Sequence, residues 1–198
     1  MLTERNKRKF GESPYEILNR CLGKDDFTDW DEWRDNNKMG YISLKGARLG
    51  NVNLKGADLS QVDLKAADLK NSNLSGADLS KANLVGADLS HANLIGADLW
   101  KTDLKFANLW EANLKSAQLV MANLENAELI RINLESADLW KANLKGAKFI
   151  SVLVDRRTFI WGCEIDEKTV FSGVGLSEAR IEPRLIEHYK KNIRRVTC

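Results

Sequence analysis

Between residues 44 and 149 a leucine, replaced at the last place by phenylalanine, recurs at every fifth position without a gap, 22 times in all, from Leu44, Leu49 and Leu54 to Leu139, Leu144 and Phe149. Two places before nearly every one stands a small residue, usually alanine, as in Ala57-Asp58-Leu59 and Ala142-Asn143-Leu144. An α-helix cannot use this spacing. At about 100° per residue, five residues advance by roughly 140° beyond a full turn, so the leucines would scatter around the axis and form no buried stripe. A continuous strand fails as well, because side chains alternate faces and five is odd. The pattern closes only if Ala-x-Leu is extended, with both side chains on one face, and the next two residues turn a corner. Glycine at the last pentad position (Gly46, Gly56, Gly76, Gly86, Gly96, Gly146) suits such a corner, because it tolerates positive φ. Corners of one hand wind the chain into a coil with leucines inside, and coils stack at roughly 4.8 Å.

These A(D/N)LXX tandems resemble the pentapeptide-repeat proteins over about residues 42–160. The resemblance implies an all-β solenoid, a right-handed quadrilateral parallel β-helix with four pentads per coil. The central Leu or Phe and the residue two before it fill the interior. It implies little about function, which lives in sites rather than folds.

Three parts are expected: 1–39, an arm and helical cap; 40–160, the repeat β-helix; and 161–198, an irregular coil and a capping helix. Ser13-Pro14-Tyr15-Glu16 is a capping box with proline at the first helical position, and Gly23 ends that helix. A second helix is expected over 29–37, with Asp29 as N-cap and Trp30 and Trp33 on one face. The open ends of a β-helix expose unpaired strand edges and interior leucines, so short α-helices are assigned to cover both. Counting in twenties gives four stacks, which end on Leu144, Phe149, Leu134 with Val154, and Leu139 with Phe159. The period returns at Phe171, Leu176 and Ile181, after a segment with Cys163 and Ile165 partly inside. Glu182-Pro183 then opens a helix to about 196, with Leu185, Ile186, Tyr189 and Ile193 as its apolar stripe.

Charge excludes several roles. The 198 residues carry net +2, and residues 44–154 hold 13 Lys+Arg against 12 Asp+Glu. Some pentapeptide-repeat proteins, the quinolone-resistance type, resemble a B-DNA rod and bind DNA gyrase. A near-neutral rod lacks the field that makes DNA a target. A gyrase or topoisomerase modulator is therefore the alternative rather than the first reading, and nucleic acid is not an expected partner. Lys7-Arg8-Lys9 is read as part of a loose arm. No signal peptide and no membrane segment are expected. Three cysteines (Cys21, Cys163, Cys198) without CxxC spacing read as free thiols of a cytoplasmic protein. A cytoplasmic module of a longer membrane protein is a further alternative.

No catalytic, cofactor or metal site is expected. His91 and His188 are the only histidines, and no phosphate-cradling loop or nucleophile set accompanies them. Outward Asp/Asn ladders (Asn53 to Asn133; Asp58 to Asp138) are read as bonding locally to turn backbone. The outward feature that breaks the polar rule is apolar. After the central leucine of the fourth stack come Trp100, Val120, Trp140 and Ile160, with Met121 and Trp161 adjacent. The second stack gives Trp110, Ile130 and Ile150. An exposed apolar patch marks an interaction surface, and tryptophan is a favoured anchor there. The expected function is a non-enzymatic structural or protein-interaction rod. Its partner is a protein or a second copy, joined through the C-terminal half.

Overall fold

The computed structural model describes residues 13–22, 26–37 and 40–196. The chain is a right-handed β-helix solenoid built from parallel bridges exactly one coil apart in the sequence, such as Ser43↔Asp63, Asn53↔Asn73↔Asn93 and Asp98↔Gln118↔Asp138. Each coil therefore takes 20 residues, or four pentads.

The backbone hydrogen bonds explain why the pentad reads as it does. In Asp78-Leu79-Ser80-Lys81-Ala82 every N–H has an acceptor. Asp78 donates down to Ala57 O (3.0 Å), Leu79 up to Asp98 O (2.8 Å), Lys81 up to Trp100 O (2.8 Å), and Ala82 across the turn to Leu79 O (3.0 Å). Ser80 N–H reaches neither neighbouring coil and donates instead to Asp78 Oδ1 at 2.8 Å. The same side-chain bond recurs at Lys55–Asn53, Ser90–Asp88, Trp100–Asp98 and Trp140–Asp138. An Asp or Asn before the central leucine is thus the group that satisfies the N–H two residues on. At several asparagines Nδ2 also reaches the coil below, as in Asn73→Asn53 (2.9 Å) and Asn83→Asp63 (2.8 Å). The ladders are structural, as the sequence reading has them.

Longer extended runs appear only where that short side chain is missing. The strands are β1 (Glu128–Ile130), β2 (Lys148–Ile150), β3 (Phe159–Ile160), β4 (Val170–Ser172) and β5 (Arg180–Ile181), in parallel sheets β1-β2-β4 and β3-β5. All begin with a residue other than Asp or Asn. Elsewhere the corner residue sits at positive φ, in glycine (Gly86, +66°) and in side-chain-bearing residues alike (His91, +58°; Phe106, +57°).

The interior holds the leucine columns and, opposite them, the alanines, nearly all below 2% exposed. Departures are accommodated by hydroxyl bonds: Ser72 Oγ donates to Leu69 O (2.6 Å) and Thr102 Oγ1 to Leu79 O (2.7 Å). Phe149 stacks on Phe171 with centroids 4.9 Å apart.

The period breaks near residue 155, which corrects the count made in fives. Asn133 still pairs with Leu153, but Asp138 pairs with Phe159 and Asn143 with Glu164, one residue later than a twenty-residue coil allows. β2 pairs with β4 two residues late, Phe149 against Phe171. The extra residues lie in two turns of one design, Asp155-Arg156-Arg157-Thr158 and Asp166-Glu167-Lys168-Thr169. In each the threonine takes the alanine place, fully buried. Thr158 Oγ1 donates to Leu134 O (2.9 Å) and Thr169 Oγ1 to Leu144 O (3.0 Å). Phe159 is consequently not in the fourth interior stack; Ile160 is. Cys163 takes the place above Ala142 and is wholly buried, rather than partly inside.

At the N-terminal side, α1 (Pro14–Leu22) starts with the capping box: Ser13 N–H donates to Glu16 Oε2 (2.7 Å), and Glu16 N–H to Ser13 Oγ (3.3 Å). α2 spans Thr28–Asn36, not 29–37, and Asp29 is not its cap. Phe27 holds that position, and Asp26 Oδ1 accepts from Thr28 N–H (2.9 Å) and Thr28 Oγ1 (2.6 Å). Trp30 is buried, stacks on Trp33 and donates Nε1–H to Asp58 O of the first coil (2.6 Å). At the other side α3 (Pro183–Val196) packs against β4 with Leu185 buried. Gly23, Lys7-Arg8-Lys9, Cys198 and the side chains of Tyr189 and Ile193 lie outside the described residues.

Leu94→Ala, in a fully buried mid-rod position, is expected to cost about 2–5 kcal/mol in urea unfolding; a loss within ~0.5 kcal/mol would mean the column tolerates a void. Asp155 supplies a pH test. Burial raises its pKa, but hydrogen bonds from Ser136, Thr158 and Arg157 outweigh that and hold the carboxyl well below the usual range. A depressed folded pKa contributes stability above the unfolded value and loses it as pH falls. Thermal melts of the protein are therefore expected to lose stability below about pH 4, less steeply in Asp155→Asn.

Candidate interaction faces

Two outward columns carry the apolar side chains, half a coil apart. Each follows a central leucine, so each lies at the end of an extended piece, just before the corner. In the column after the second stack, Trp110 is 39% exposed, and Ile130 and Ile150 are half-buried and aligned by the β1-β2 register. Trp110 meets the His91 ring edge-on at 4.8 Å. His91 Nδ1 lies 3.3 Å from Glu111 Oε2, whose other oxygen takes Arg131 Nη1 at 3.0 Å.

The column after the fourth stack differs from the sequence reading at its last member. Ile160 was expected outside and is 1% exposed. The residue inserted before it moves Ile160 to the interior place above Leu139, and Lys141 N–H donates to Trp161 O (2.9 Å) as Lys81 N–H does to Trp100 O. Trp161 therefore continues the column itself: Ser60, Ser80, Trp100, Val120, Trp140, Trp161. Trp140 and Trp161 are well exposed, Met121 beside Val120 is 43% exposed, and Trp100 and Val120 are half-buried. Phe159 stacks on Trp161 at 6.3 Å between centroids.

Lysines at the adjoining corner lie over the indoles. Lys101 Nζ is 4.4 Å and Lys81 Nζ 5.1 Å from the Trp100 ring centroid, and Lys141 Nζ is 4.3 Å from that of Trp140. Such contacts hold an ammonium on the ring without neutralising it. Other cations on the rod pair from coil to coil: Lys105–Glu125 (3.2 Å), Lys115–Glu135 (3.0 Å) and Lys148–Glu128 (2.9 Å). Exposed pairs of this kind add little stability each, but they cancel the field of the rod locally.

Sequence reading missed other exposed apolar side chains: Tyr41, Phe106 and Leu153. Phe106 stands at a positive-φ corner where its neighbours are small or polar, and an aromatic in a corner column was the readable sign. Among the described residues no group of three or more His, Cys, Asp or Glu is placed to hold a metal ion, and no helix is long and apolar enough to cross a membrane.

Comparison with known proteins places the repeat. A family model for pentapeptide repeats matches in 8 copies over residues 42–80, 67–110, 82–119, 92–129 and 127–152. No curated protein sequence matches the chain. Among solved structures, a pentapeptide repeat protein from the Arabidopsis thaliana thylakoid lumen is 31% identical over 46% of this chain and 66% of its own, with TM-score 0.40. The pentapeptide repeat protein Rfr23 from the cyanobacterium Cyanothece 51142 is 36% identical over 54% and 65%, with TM-score 0.30. QnrB1, a plasmid-mediated fluoroquinolone resistance protein, is 17% identical over 76% and 92%, with TM-score 0.45. The aligned stretch thus spans just under two thirds of the plant and cyanobacterial chains.

The inserted residue has a direct test. Ile160→Asp is expected to lower unfolding free energy by about 3 kcal/mol or more, by burying a carboxylate. Trp161→Asp should stay within about 1 kcal/mol of the parent. The reverse order in chemical denaturation would restore the unshifted count.

Proposed function

The chain belongs to the pentapeptide-repeat family, and on that footing we propose that it is a non-enzymatic protein-interaction rod that engages its partner through the Trp100–Trp161 column. The observation that carries this reading is the exposure of Met121, Trp140 and Trp161 side by side on successive coils of one face. Aromatic side chains held rigidly by the solenoid lose little entropy on docking, which suits them as anchors. The column of Trp110, Ile130 and Ile150 is a second, separate patch.

The reading includes a quadrilateral coil over 40–160, helical caps within 1–39 and 161–198, and residence in the cytoplasm. Contacts of Trp30 and Leu185 with the terminal coils support the caps, and the free buried thiols of Cys21 and Cys163 suit a reducing compartment. Burial pushes the Cys163 thiol up to about 12, so it is inert at neutral pH. Both histidines are engaged structurally, His91 with Glu111 and Trp110, His188 Nε2 with Thr169 O at 3.1 Å, which supports a role without catalysis. The coil-to-coil ion pairs weigh against the alternative of a DNA-like modulator of gyrase.

Chemical crosslinking in native cells is expected to join the rod to a protein, itself or another, and the Trp140→Ser/Trp161→Ser variant should lose that product while remaining folded. Equal crosslinking of both forms would remove the column from the reading. Gyrase supercoiling should be unaffected by the protein; stoichiometric inhibition would put the DNA-like alternative in its place.

A further inference from the structure

The fourth face carries more than its apolar column. Reading outward positions across one coil gives three places: the residue before the leucine, the residue after it, and the corner. Successive coils run Asp78-Ser80-Lys81, Asp98-Trp100-Lys101, Gln118-Val120-Met121, Asp138-Trp140-Lys141 and Phe159-Trp161-Gly162. An acidic column and a basic column thus flank the aromatic one. They match row by row: where the first place is aspartate the third is lysine, and where the first is neutral the third is neutral.

The first coil completes the rule. Asp58 stands opposite neutral Gln61, and Asp58 is already paired with Arg34 of α2 at 2.9 Å. No other face shows this match. On the third the corresponding pairs are Asn53/Gly56, Asn73/Gly76, Asn93/Gly96, Asn113/Ser116 and Asn133/Ser136, all uncharged.

The match does not arise from contact within the chain. The tryptophan column separates the two places, and among the described residues no salt bridge joins Lys81, Lys101 or Lys141 to any carboxylate. Each lysine leans over an indole instead, and Asp78, Asp98 and Asp138 bond only the backbone N–H of their own turns.

We propose that the fourth face docks on the same face of a second copy of this chain, the two rods parallel and related by a two-fold axis that runs along the tryptophan column. The proposal rests on the interaction-rod reading and names its partner. A two-fold along the rod exchanges the left and right columns while keeping each coil at its own height. Lys101 then faces the partner's Asp98, Lys141 the partner's Asp138 and Lys81 the partner's Asp78, while Gln118 meets Met121 and Phe159 meets Gly162. The other face-to-face arrangement, with rods antiparallel, sets aspartate against aspartate and lysine against lysine. Electrostatic matching of this kind selects register and rejects the wrong mode. The patterned stretch from Ser80 to Trp161 covers four coil spacings, about 19 Å. An interface so short falls at the small end of specific interfaces, so the dimer is reversible.

Sedimentation of the full chain from low to high micromolar concentration is expected to show a monomer–dimer equilibrium. Lys101→Met/Lys141→Met (methionine stands at this place in Met121) and Asp98→Asn/Asp138→Asn (asparagine keeps the turn bond) should each raise the dimer Kd about tenfold. Lys101→Glu/Lys141→Glu should abolish dimerisation. Orientation is read by Ser80→Cys in a Cys198→Ser background. Ser80 lies on the axis with the facing backbones about 10 Å apart, so a bis-maleimide of about 10 Å reach should link the dimer in the parallel arrangement alone, the antiparallel one setting the two thiols about 19 Å apart along the rod. A monomer at every concentration overturns this proposal and leaves the interaction rod to its crosslinking test. A dimer that resists both lysine variants, or fails to link through residue 80, overturns the parallel pairing, whereas loss of that dimer in Trp140→Ser/Trp161→Ser would keep the face.

Discussion

The structure depends on a side chain that accepts one backbone hydrogen bond. A solenoid coil of five-residue units leaves each unit with one N–H that no backbone carbonyl accepts, the one after the central leucine. Buried or half-buried, that donor needs a partner. The aspartate or asparagine two places earlier reaches it, as Asp78 Oδ1 does for Ser80 N–H and Asp98 Oδ1 for Trp100 N–H. Glutamate and lysine at that place accompany the longer strands at Glu128–Ile130 and Lys148–Ile150. The corner, the coil length and the stacking of the leucines all follow from where this bond ends the extended piece.

Because the interior is the same from coil to coil, it says nothing about what distinguishes this rod from another of its family. The outward columns carry that, and a column is a property of residues twenty apart. Trp100 and Trp140 belong to one surface because a backbone ladder lifts one above the other. Long-range matching of charge between columns, as on the fourth face, has meaning only once the coil closes.

The period was legible because it is strict and because no helix or flat strand can use it. So was the capping box at Ser13–Glu16, in which both reciprocal bonds form. The extra residue near Asp155 was not. Thr158 reads as a surface residue, yet it replaces an interior alanine by turning its hydroxyl onto Leu134 O, and Phe159 reads as the next core residue although Ile160 takes that place. A readable sign existed in the recurrence of Asp-x-x-Thr at Asp155–Thr158 and Asp166–Thr169. Asp29 suits a cap by residue type, but it lies inside the first turn, and Asp26, two residues before Thr28, accepts the bond instead.

The twenty-residue coil was implied by the resemblance to the pentapeptide-repeat proteins; the chain by itself determined a backbone that turns after every short extended piece, with the leucines and the small residues two places before them on the inside. Those are consequences of spacing, and spacing is local. Tertiary structure alone decided which residue ends the aromatic column, which aspartates are already paired, and that the lysines rest on indoles instead of carboxylates. The first turns on one inserted residue, the second on α2 reaching Asp58 through Arg34, and the third on lysines of the same or the adjacent coil meeting the ring at about 4–5 Å.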